Sequence, residues 1–260
     1  MGNAAIQGDL WGTQARDWAE AQEPLMRPLY AAVLEGCSPT SGAMLLDVGC
    51  GSGLFCGMAR ERGLVPVGID AAEPLLEIAR ERFPGIRFDL GEMQSLPYPD
   101  SSFDLVTGNN SFQYAADPVA ALRDARRVMR PAAFLSIQVW GAADRCDMST
   151  YMAALGSVLP PAPPGAPGPF ALSIPGALEA LVERAGLVPV RAATVDVRFD
   201  FEDSRAAMRA LKSSGPAIRA VRHAGDAAVT DAVEKAMRQY RGSDGHFRFD
   251  NQFRYLIARA

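Results

Sequence analysis

Short apolar runs alternate with amphipathic stretches between residues 44 and 140 of the chain. The apolar runs have the length of buried strands, and the stretches between them repeat apolar residues at the three- and four-residue intervals of helices. Such an alternation predicts an α/β fold with a parallel, doubly wound sheet. The pattern places strands over 44–48, 65–69, 86–90, 103–107 and 134–140, and helices over 54–62, 73–83 and 118–129.

The flanking regions have patterns of their own. Residues 10–34 repeat aromatic and aliphatic side chains at helical intervals, which predicts a helical lead-in. The remaining elements predicted are a helix over 175–185, a strand over 188–199, interrupted helices over 203–239 and a strand over 247–258. Six prolines from Pro160 to Pro169 exclude a helix or a central strand there. That segment is either a stiff surface connector or a lid or pocket wall.

Composition narrows the class of protein. The chain has 260 residues, 48% of them hydrophobic and 22% charged, which fits one large globular domain or one domain with a cap. The formal net charge is -4 and the arginines are dispersed, so no nucleic-acid-binding patch is expected. Four cysteines without a C-x-x-C pair and only two histidines disfavour a zinc site. Without a signal-like N-terminus or a long apolar stretch, we expect a soluble cytoplasmic protein.

A glycine-rich turn follows the first strand of the alternating region. Glycine occupies every second position from Gly49 to Gly53, two residues after Asp47. Glycines at a strand–helix junction let the backbone approach a ligand closely. Dinucleotide sites have G-x-G-x-x-G at this point, but Leu54 stands where their third glycine would be. By itself the turn leaves open an ordinary strand–helix connection or an altered nicotinamide site.

Asp70 ends the second predicted strand, 21 residues after Gly49. A carboxylate at this place can accept hydrogen bonds from both ribose hydroxyls of an adenosine. It can also cap the helix that begins near Glu73, and the two roles are compatible.

The glycine turn resembles the first motif of the class I S-adenosylmethionine (SAM)-dependent methyltransferases. Residues 91–104, after the third strand, and Arg127–Ala133, before the fifth, resemble further segments of that family. The fourth strand ends in Asn109–Phe112, which lacks the two prolines of enzymes that methylate DNA bases or protein amides. Over residues 10–140 the order and spacing are similar to the ubiquinone- and menaquinone-biosynthesis-like (type 11) group.

The resemblance implies a seven-stranded, mostly parallel, Rossmann-like sheet with SAM as the cofactor and S-adenosylhomocysteine as the product. It implies a helical cap over residues 1–40, a methyltransferase domain over 41–260 and a Pro-rich cap or lid at 141–175. In it Asp70 would bind the ribose, Glu92 the adenine amino group and Asn109 the methionine amino group. The cofactor-binding residues that it implies are Trp11, Asp47, Gly49, Cys50, Gly51, Gly53, Asp70, Ala71, Leu75, Glu92, Met93 and Asn109.

Aromatic residues are a second set of candidates, because the sulfonium cation of SAM interacts favourably with aromatic faces. They can line a pocket if the N-terminal helix folds over the sheet, and core packing is the alternative explanation for them. The six are Trp11, Trp18, Tyr30, Phe112, Tyr114 and Trp140.

Two departures from the family pattern have consequences. Gln113 and Tyr114 stand where relatives often carry histidines, so the catalytic residue is unknown, and the weak candidates for a base are Tyr114, Tyr30 and His223. Ala132 and Ala133 replace two glycines of the turn before the fifth strand. Since positive φ is costly for alanine, we expect a different turn there.

The predicted function is in-line methyl transfer to an oxygen, nitrogen or carbon nucleophile of a small molecule. Two alternatives stay open from the sequence: an RNA or protein methyltransferase, and a non-catalytic SAM-binding protein. The apolar character of residues 148–176 favours an uncharged, aromatic or lipid-like acceptor. We expect no metal, no nucleic-acid partner and no membrane span, and a monomer or homodimer.

Overall fold

A single sheet organises the parts of the chain that the computed structural model describes, residues 2–161 and 167–260. Its seven strands lie in the order β3-β2-β1-β4-β5-β7-β6. The first five strands of this order run parallel, and β7 pairs antiparallel with both β5 and β6. The strands are β1 Met44–Val48, β2 Val65–Asp70, β3 Arg87–Leu90, β4 Phe103–Asn109, β5 Met129–Trp140, β6 Val188–Phe201 and β7 Phe247–Arg259.

Helices cover both faces of the sheet and the edge at which its parallel strands end. A π-helical turn, Trp18–Gln22, and a 3-10 turn, Glu23–Met26, connect the second and third helices. The helices are α1 Ala4–Gly12, α2 Ala15–Asp17, α3 Arg27–Cys37, α4 Leu54–Glu61, α5 Glu73–Arg82, α6 Pro118–Val128, α7 Met148–Ser157, α8 Ala177–Arg184, α9 Ser204–Lys212, α10 Gly215–Ala224 and α11 Asp226–Met237.

Neighbouring strand residues belong to opposite layers of the core. Leu45 packs into a cluster with α3, α4 and the helices α9–α11, whereas Leu46 packs into a cluster with α6 and α8. Leu105 and Val106 of β4 divide between the same two clusters. This follows from the two-residue period of a strand, and it explains why the central strands are apolar on both faces. The predicted doubly wound sheet is therefore confirmed.

Element boundaries agree with the sequence pattern within a few residues, with two exceptions. The strand predicted over 134–140 begins at Met129, which pairs with Phe103 before a bulge restores the register at Phe134. The helix α7 was not predicted at all. Its buried residues Met148, Tyr151 and Leu155 are three and four positions apart, so the helical period was present in the sequence.

The turn before the regular part of β5 corrects one expectation. Ala132 has φ +64°, so the left-handed conformation that glycines would have supplied is kept by an alanine. β5 advances five residues, from Met129 to Phe134, while β4 advances two, from Phe103 to Leu105. The extra residues of β5 form the bulge. Within it the exposed Ala132 adopts the strained left-handed conformation, at a cost of about 1–2 kcal/mol.

The proline-rich segment is only partly described. Pro160, Pro161, Pro167 and Pro169 lie outside helices and strands. Pro163 and Pro164 belong to residues 162–166, which lie outside the described residues. The expectation of a connector or a lid concerns this segment and therefore lies outside them too. Across the described ranges, no helix is both long enough and apolar enough to span a membrane.

Candidate functional site

A cavity lies at the carboxyl ends of β1 to β5, beneath the N-terminal helices and the helices α7, α9 and α10. This is the edge at which ligands bind in doubly wound sheets. Nine of the twelve predicted cofactor-binding residues line it. They are Trp11, Gly49, Gly51, Asp70, Ala71, Leu75, Glu92, Met93 and Asn109.

The glycine turn forms one wall of the cavity. Gly49, Gly51 and Gly53 all have positive φ, and the first two line the cavity. A Cβ atom at Gly49 would lie 2.4 Å from Cβ of Ser111, so only glycine allows the turn to pass this close to the end of β4.

Two of the predicted residues in this turn lie behind the cavity wall. The side chain of Cys50 packs among Cys56, Leu76 and Phe88. A Cβ atom at Gly53 would meet the ring of Phe88 at 2.8 Å, so this glycine allows α4 to pack against the sheet. The Cys50 side chain and the Gly53 position thus shape the turn behind the cavity wall, and the binding of the cofactor by these two residues stays a prediction.

Asp70 links the glycine turn to the next helix. One carboxylate oxygen accepts a hydrogen bond from the Gly51 N–H at 2.9 Å, and the other accepts one from the Ala72 N–H at 2.9 Å. Burial raises the pKa of Asp70, and the backbone hydrogen bonds from Ala72 and Gly51 oppose the rise. The expected helix-capping role is wrong, because the N-cap of α5 is Ala72 and no side chain caps it. Asp70 instead joins the glycine turn to the residue before α5 and lines the cavity.

Asp47 is the third predicted residue that does not line the cavity. It is 1% exposed and accepts hydrogen bonds of 2.8 Å from Thr107 Oγ1 and Asn109 Nδ2. Burial raises the pKa of Asp47 to about 7, opposed by the hydrogen bond from Thr107 and assisted by the charges of Asp70 and Glu23. Asp47 thus orients Asn109, which reaches the cavity in its place.

Glu92 touches the N-terminal helix. Its carboxylate accepts hydrogen bonds from the Ala4 N–H at 3.0 Å and the Gln94 N–H at 3.1 Å. A Cβ atom at Gly8 of α1 would lie only 2.0 Å from the carbonyl oxygen of Ala71. The helix α1 therefore lies directly on Ala71 and Glu92, two of the predicted cofactor-binding residues.

Glu23 is a residue that the sequence analysis missed. It is 2% exposed, and its carboxylate accepts hydrogen bonds from the Ser52 N–H at 3.1 Å, from the Ser52 hydroxyl and from Arg82 Nη1 at 2.8 Å. Burial raises its pKa although Ser52 and Arg82 lower it. The contact fixes the N-terminal segment to the glycine turn. A glutamate followed by proline is common at helix starts, so no sequence signal distinguishes it.

Five of the six aromatic candidates line the cavity, and among them are all three tryptophans of the chain. The ring of Trp11 meets the rings of Trp18 and Tyr114 edge to face, with centroids 4.9 and 5.5 Å apart. Phe112 is the exception. It is fully buried in the cluster beneath α6, and the preceding Ser111 lines the cavity instead.

The three candidates for a base differ in position. Tyr30 and Tyr114 line the cavity. Burial raises the pKa of Tyr114 to about 12 and that of Tyr30 well above its usual range. His223 is exposed on α10, and His246 pairs with Asp200 at the surface, so neither histidine faces the cavity.

Apart from Trp140, the residues of the opposite wall of the cavity were not predicted one by one. This wall comes from the end of β5, from β6 and from α7, α9 and α10. Its side chains are largely apolar, and three of them come from the region 148–176. The residues are Trp140, Met148, Tyr151, Met152, Phe199, Leu211, Ser214 and Pro216.

The arrangement of a glycine turn, two carboxylates and a covering helix at this edge agrees with the family comparison. The pattern of the family described as "Methyltransferase domain" matches residues 46–137. Residues 46–137 are a methyltransferase domain. The predicted family and cofactor are confirmed: the domain belongs to the SAM-dependent methyltransferases, whose cofactor is SAM. No group of three metal-ligating side chains is found in the described parts of the chain.

Two relatives illustrate the extent of the similarity. A malonyl-(acyl-carrier protein) O-methyltransferase of Serratia marcescens is 36% identical over 112 residues, which are 43% of this chain and 44% of that protein. A ubiquinone biosynthesis O-methyltransferase of Dinoroseobacter shibae is 31% identical over 167 residues, which are 62% of this chain and 66% of that protein. The matched parts are thus less than half of the first relative and about two thirds of the second.

Solved structures share the fold. A SAM-dependent methyltransferase from Aquifex aeolicus has a TM-score of 0.53 and 18% identity, covering 69% of this chain and 91% of that one. The (4+2)-cyclase SpnF has a TM-score of 0.57 and 22% identity, covering 89% of this chain and 79% of that one. Because one of the two is named a cyclase, the shared fold does not by itself fix the reaction.

Proposed function

We propose that this methyltransferase transfers the methyl group of SAM to a small-molecule acceptor by in-line displacement. The observation that carries the proposal is the composition of the cavity, with the glycine turn, Asp70 and Glu92 at one end and an uncharged, largely apolar wall at the other. Bound SAM supplies an electrophilic methyl group on a sulfonium centre. The names of the two relatives point to different acceptors, so neither assigns one to this chain.

The residues at the cofactor end have the capacity for the roles proposed for them. Each carboxylate oxygen has two lone pairs, and each oxygen of Asp70 and Glu92 accepts one backbone hydrogen bond. One further acceptor site per oxygen is left for the ribose hydroxyls at Asp70 and for the adenine amino group at Glu92. The Asn109 side chain, held by Asp47, is proposed to meet the methionine amino group.

For this reaction the protein mainly has to position the two reacting groups and exclude water. Alignment of the two reacting groups can supply ~7–11 kcal/mol of the barrier. A base is needed only when the nucleophile has to ionise. A tyrosine phenol is already neutral at pH 7, and burial raises the pKa of Tyr114 and Tyr30 further, so neither is readily ionised to act as a base. Each can therefore donate a hydrogen bond to the acceptor without an anionic form.

An RNA acceptor has less support. The net charge of -4 and a cavity lined, among the described residues, by no Lys, Arg or His disfavour an RNA acceptor. The proposal therefore includes a small-molecule acceptor and no nucleic-acid partner. It also includes a chain that acts as a monomer or homodimer. All four cysteines are free thiols, which supports a reducing compartment such as the cytoplasm.

Thermal unfolding with SAM, S-adenosylhomocysteine, NAD and ATP in parallel tests the cofactor site. A ligand at a hundred times its dissociation constant stabilises the fold by about 2.7 kcal/mol, which appears as a raised midpoint. We expect shifts with the first two ligands only. Asp70→Ala and Gly51→Val should abolish the shifts, whereas the surface variant His223→Ala should retain them.

The same assay distinguishes the alternatives. A shift with NAD alone would support the nicotinamide reading of the glycine turn. Retained SAM binding in both Asp70→Ala and Gly51→Val would contradict the proposed site. SAM binding without turnover across phenols, amines and quinol precursors would favour a non-catalytic SAM-binding protein, and RNA retention at moderate salt would favour an RNA substrate.

A further inference from the structure

Gln22 carries a buried polar group without a protein partner. The residue lines the cavity and is 7% exposed. Its carboxamide oxygen Oε1 has no hydrogen-bond partner among the described residues. A buried acceptor left in this state costs about 1–3 kcal/mol, so such groups usually have a partner when the protein is at work.

The backbone around Gln22 is held in place. Gln22 is the last residue of the π-helical turn Trp18–Gln22, and turns of this kind often occur at functional sites. The next residue, Glu23, is fixed by Ser52 and Arg82. The terminal amide turns easily about its last torsion, so the oxygen can face the cavity without movement of the chain.

The cavity around this amide has its charges at one end only. Asp70 and Glu92 are the charged residues that line the cavity within the described ranges. Asp70 ends β2, and Glu92 lies just after β3. Strand β5, which ends in Trp140, lies three strand spacings from β2, or roughly 14 Å. The wall near Trp140 therefore has no charged side chain to neutralise an anion.

Methionines and aromatic rings are prominent in the lining of the cavity away from the carboxylates. Met26, Met148 and Met152 are flexible and adapt to ligands of irregular shape. The Tyr151 hydroxyl, at the same wall, already bonds to the Leu211 carbonyl at 2.7 Å. Gln22 is thus a lining residue whose amide oxygen has no partner among the described residues and, after rotation of the amide, can accept a hydrogen bond from a ligand.

We propose that the methyl acceptor is a neutral, mainly apolar molecule whose O–H or N–H group donates a hydrogen bond to Gln22. This inference rests on the proposed methyl transfer and adds the class of substrate. A carboxylate or phosphate acceptor is disfavoured, because its charge would be buried against an apolar wall without a cation. Gln22 binds and orients the acceptor and takes no part in binding SAM.

Three small probes of one shape test the proposal: 4-butylphenol, 4-butylanisole and 4-butylbenzoate. The first has a donor, the second has none and the third is an anion. Because the three tryptophans line the cavity, binding is followed by their fluorescence, excited at the red edge of the indole band, in protein saturated with S-adenosylhomocysteine. We expect the phenol to bind about tenfold more tightly than either of the others, the value of one hydrogen bond of ~1.4 kcal/mol.

Variants at Gln22 identify the group responsible. Gln22→Met should remove the preference for phenol over anisole and leave the anisole affinity unchanged. Gln22→Glu keeps two acceptor oxygens and should keep the preference, which provides a test if the methionine variant does not fold. Gln113 is the matched control, since its Oε1 is also buried and unpartnered but does not line the cavity. Gln113→Met should leave the preference intact.

The outcomes separate this inference from the proposed function. A titration of each variant with S-adenosylhomocysteine measures the cofactor site alone. A tenfold loss of its affinity in Gln22→Met would overturn the inference, because Gln22 would then belong to the cofactor site. Equal or tighter binding of the benzoate, or no binding of any probe, would overturn it as well. Loss of cofactor binding by the unmodified protein would instead overturn the proposed function.

Discussion

At the scale of single residues, the site depends on carboxylates that the fold has removed from water. Asp47 is the best example: it is almost fully buried and is held by Thr107 and Asn109. Burial raises its pKa to about 7. Asp70 and Glu23 have raised pKa values for the same reason. Clusters of carboxyl groups with shifted pKa values are typical of functional sites, because burial and neighbouring charges are combined there.

The protonation of Asp47 predicts a pH dependence of stability. Between its ordinary pKa of 3.8 and about 7, the folded carboxyl keeps its proton while the unfolded one has lost it. The free energy of unfolding therefore falls as the pH rises through this window, by at most about 1.4 kcal/mol per pH unit from this group. Asp47→Asn cannot titrate. Urea unfolding of both proteins at pH 5 and pH 7 should show the unmodified protein losing stability relative to the variant as the pH rises.

A constant difference between the two proteins across this window would show that Asp47 is ionised when folded. The quantity to compare is the difference in stability between the unmodified protein and the variant at each pH. Exposed aspartates with lowered pKa values, such as Asp244, affect stability with the opposite sign at lower pH, and their effect cancels in this difference.

Ala132 offers a second prediction at this scale. Its φ of +64° is strained for alanine and relaxed for glycine. Ala132→Gly should stabilise the protein by about 0.5–1 kcal/mol, because relief of strain exceeds the entropy that glycine adds to the unfolded chain. Ala133→Gly is the matched control. Ala133 is buried and not strained in this way, so the same change should destabilise by about the same amount.

Both midpoints can be read from thermal unfolding. A lower midpoint for Ala132→Gly than for the unmodified protein would mean that the left-handed turn is not under strain.

At the scale of elements, the helix α1 is held mainly by polar contacts and close backbone approach. Its buried residue is Gly8, which lies against the Ala71 carbonyl, and its first N–H group donates to Glu92. The Asn3 side chain donates to the Tyr114 carbonyl at 2.8 Å. Trp11 adds ring contacts with Trp18 and Tyr114. Since Gly8 is the residue of α1 that is buried, the position of the helix is sensitive to small changes at its contact with the loop after β2.

Gly8→Ala tests whether this contact shapes the cofactor site. The added methyl would lie 2.0 Å from the Ala71 oxygen and would push the helix away. A displacement costing ~1.4 kcal/mol or more lowers SAM affinity about tenfold or more. Isothermal titration with SAM measures it. Gly156→Ala on α7, where nothing lies within 4 Å, should leave the affinity unchanged. Equal affinities in both variants would contradict a role for α1 in the site.

At the scale of the whole molecule, the N-terminal segment lies between the sheet and the helices α9 and α10. Arg209 pairs with Asp17 at 2.6 Å and with Glu20 at 2.5 Å. Arg222 pairs with Asp9, and Trp11 lies against Gly215. We propose that residues 1–40 act as a cap on the domain 41–260, in which α3 belongs to the core and these exposed ion pairs link the first part, residues 4–22, to α9 and α10.

Exposed pairs are weak, at about 0–1 kcal/mol each, so the cap should open readily. Combined Arg209→Ala and Arg222→Ala should speed amide exchange several-fold in residues 4–22 and leave the central strands unchanged. High salt should have the same effect on the unmodified protein. Arg198→Ala, which removes an exposed pair with Asp250 on β6 and β7, is the control and should not affect residues 4–22. Unchanged exchange in the double variant would show that apolar contacts hold the cap.

The sequence by itself determined the sheet and the cofactor turn. Periodicity predicted the strands because a strand buried on both faces is apolar throughout, and the glycine turn was readable because only glycine accepts its backbone. Asp70 was found because it ends the second strand at a fixed distance from the glycine turn, and Glu92 because residues 91–104 resemble a family segment. These signals are local, and local signals are preserved in the order of residues.

The tertiary structure alone decided which side chains share the cavity. Glu23 contacts Ser52 of the glycine turn although the two are 29 residues apart in the chain. Met148 and Tyr151 reach the cavity from α7, and Phe199 reaches it from β6. Phe112 went to the core and Cys50 behind the wall, since one residue along a strand or turn changes the face that a side chain occupies. No spacing rule relates residues brought together by helix packing, so the acceptor side of this methyltransferase became visible only in the folded chain.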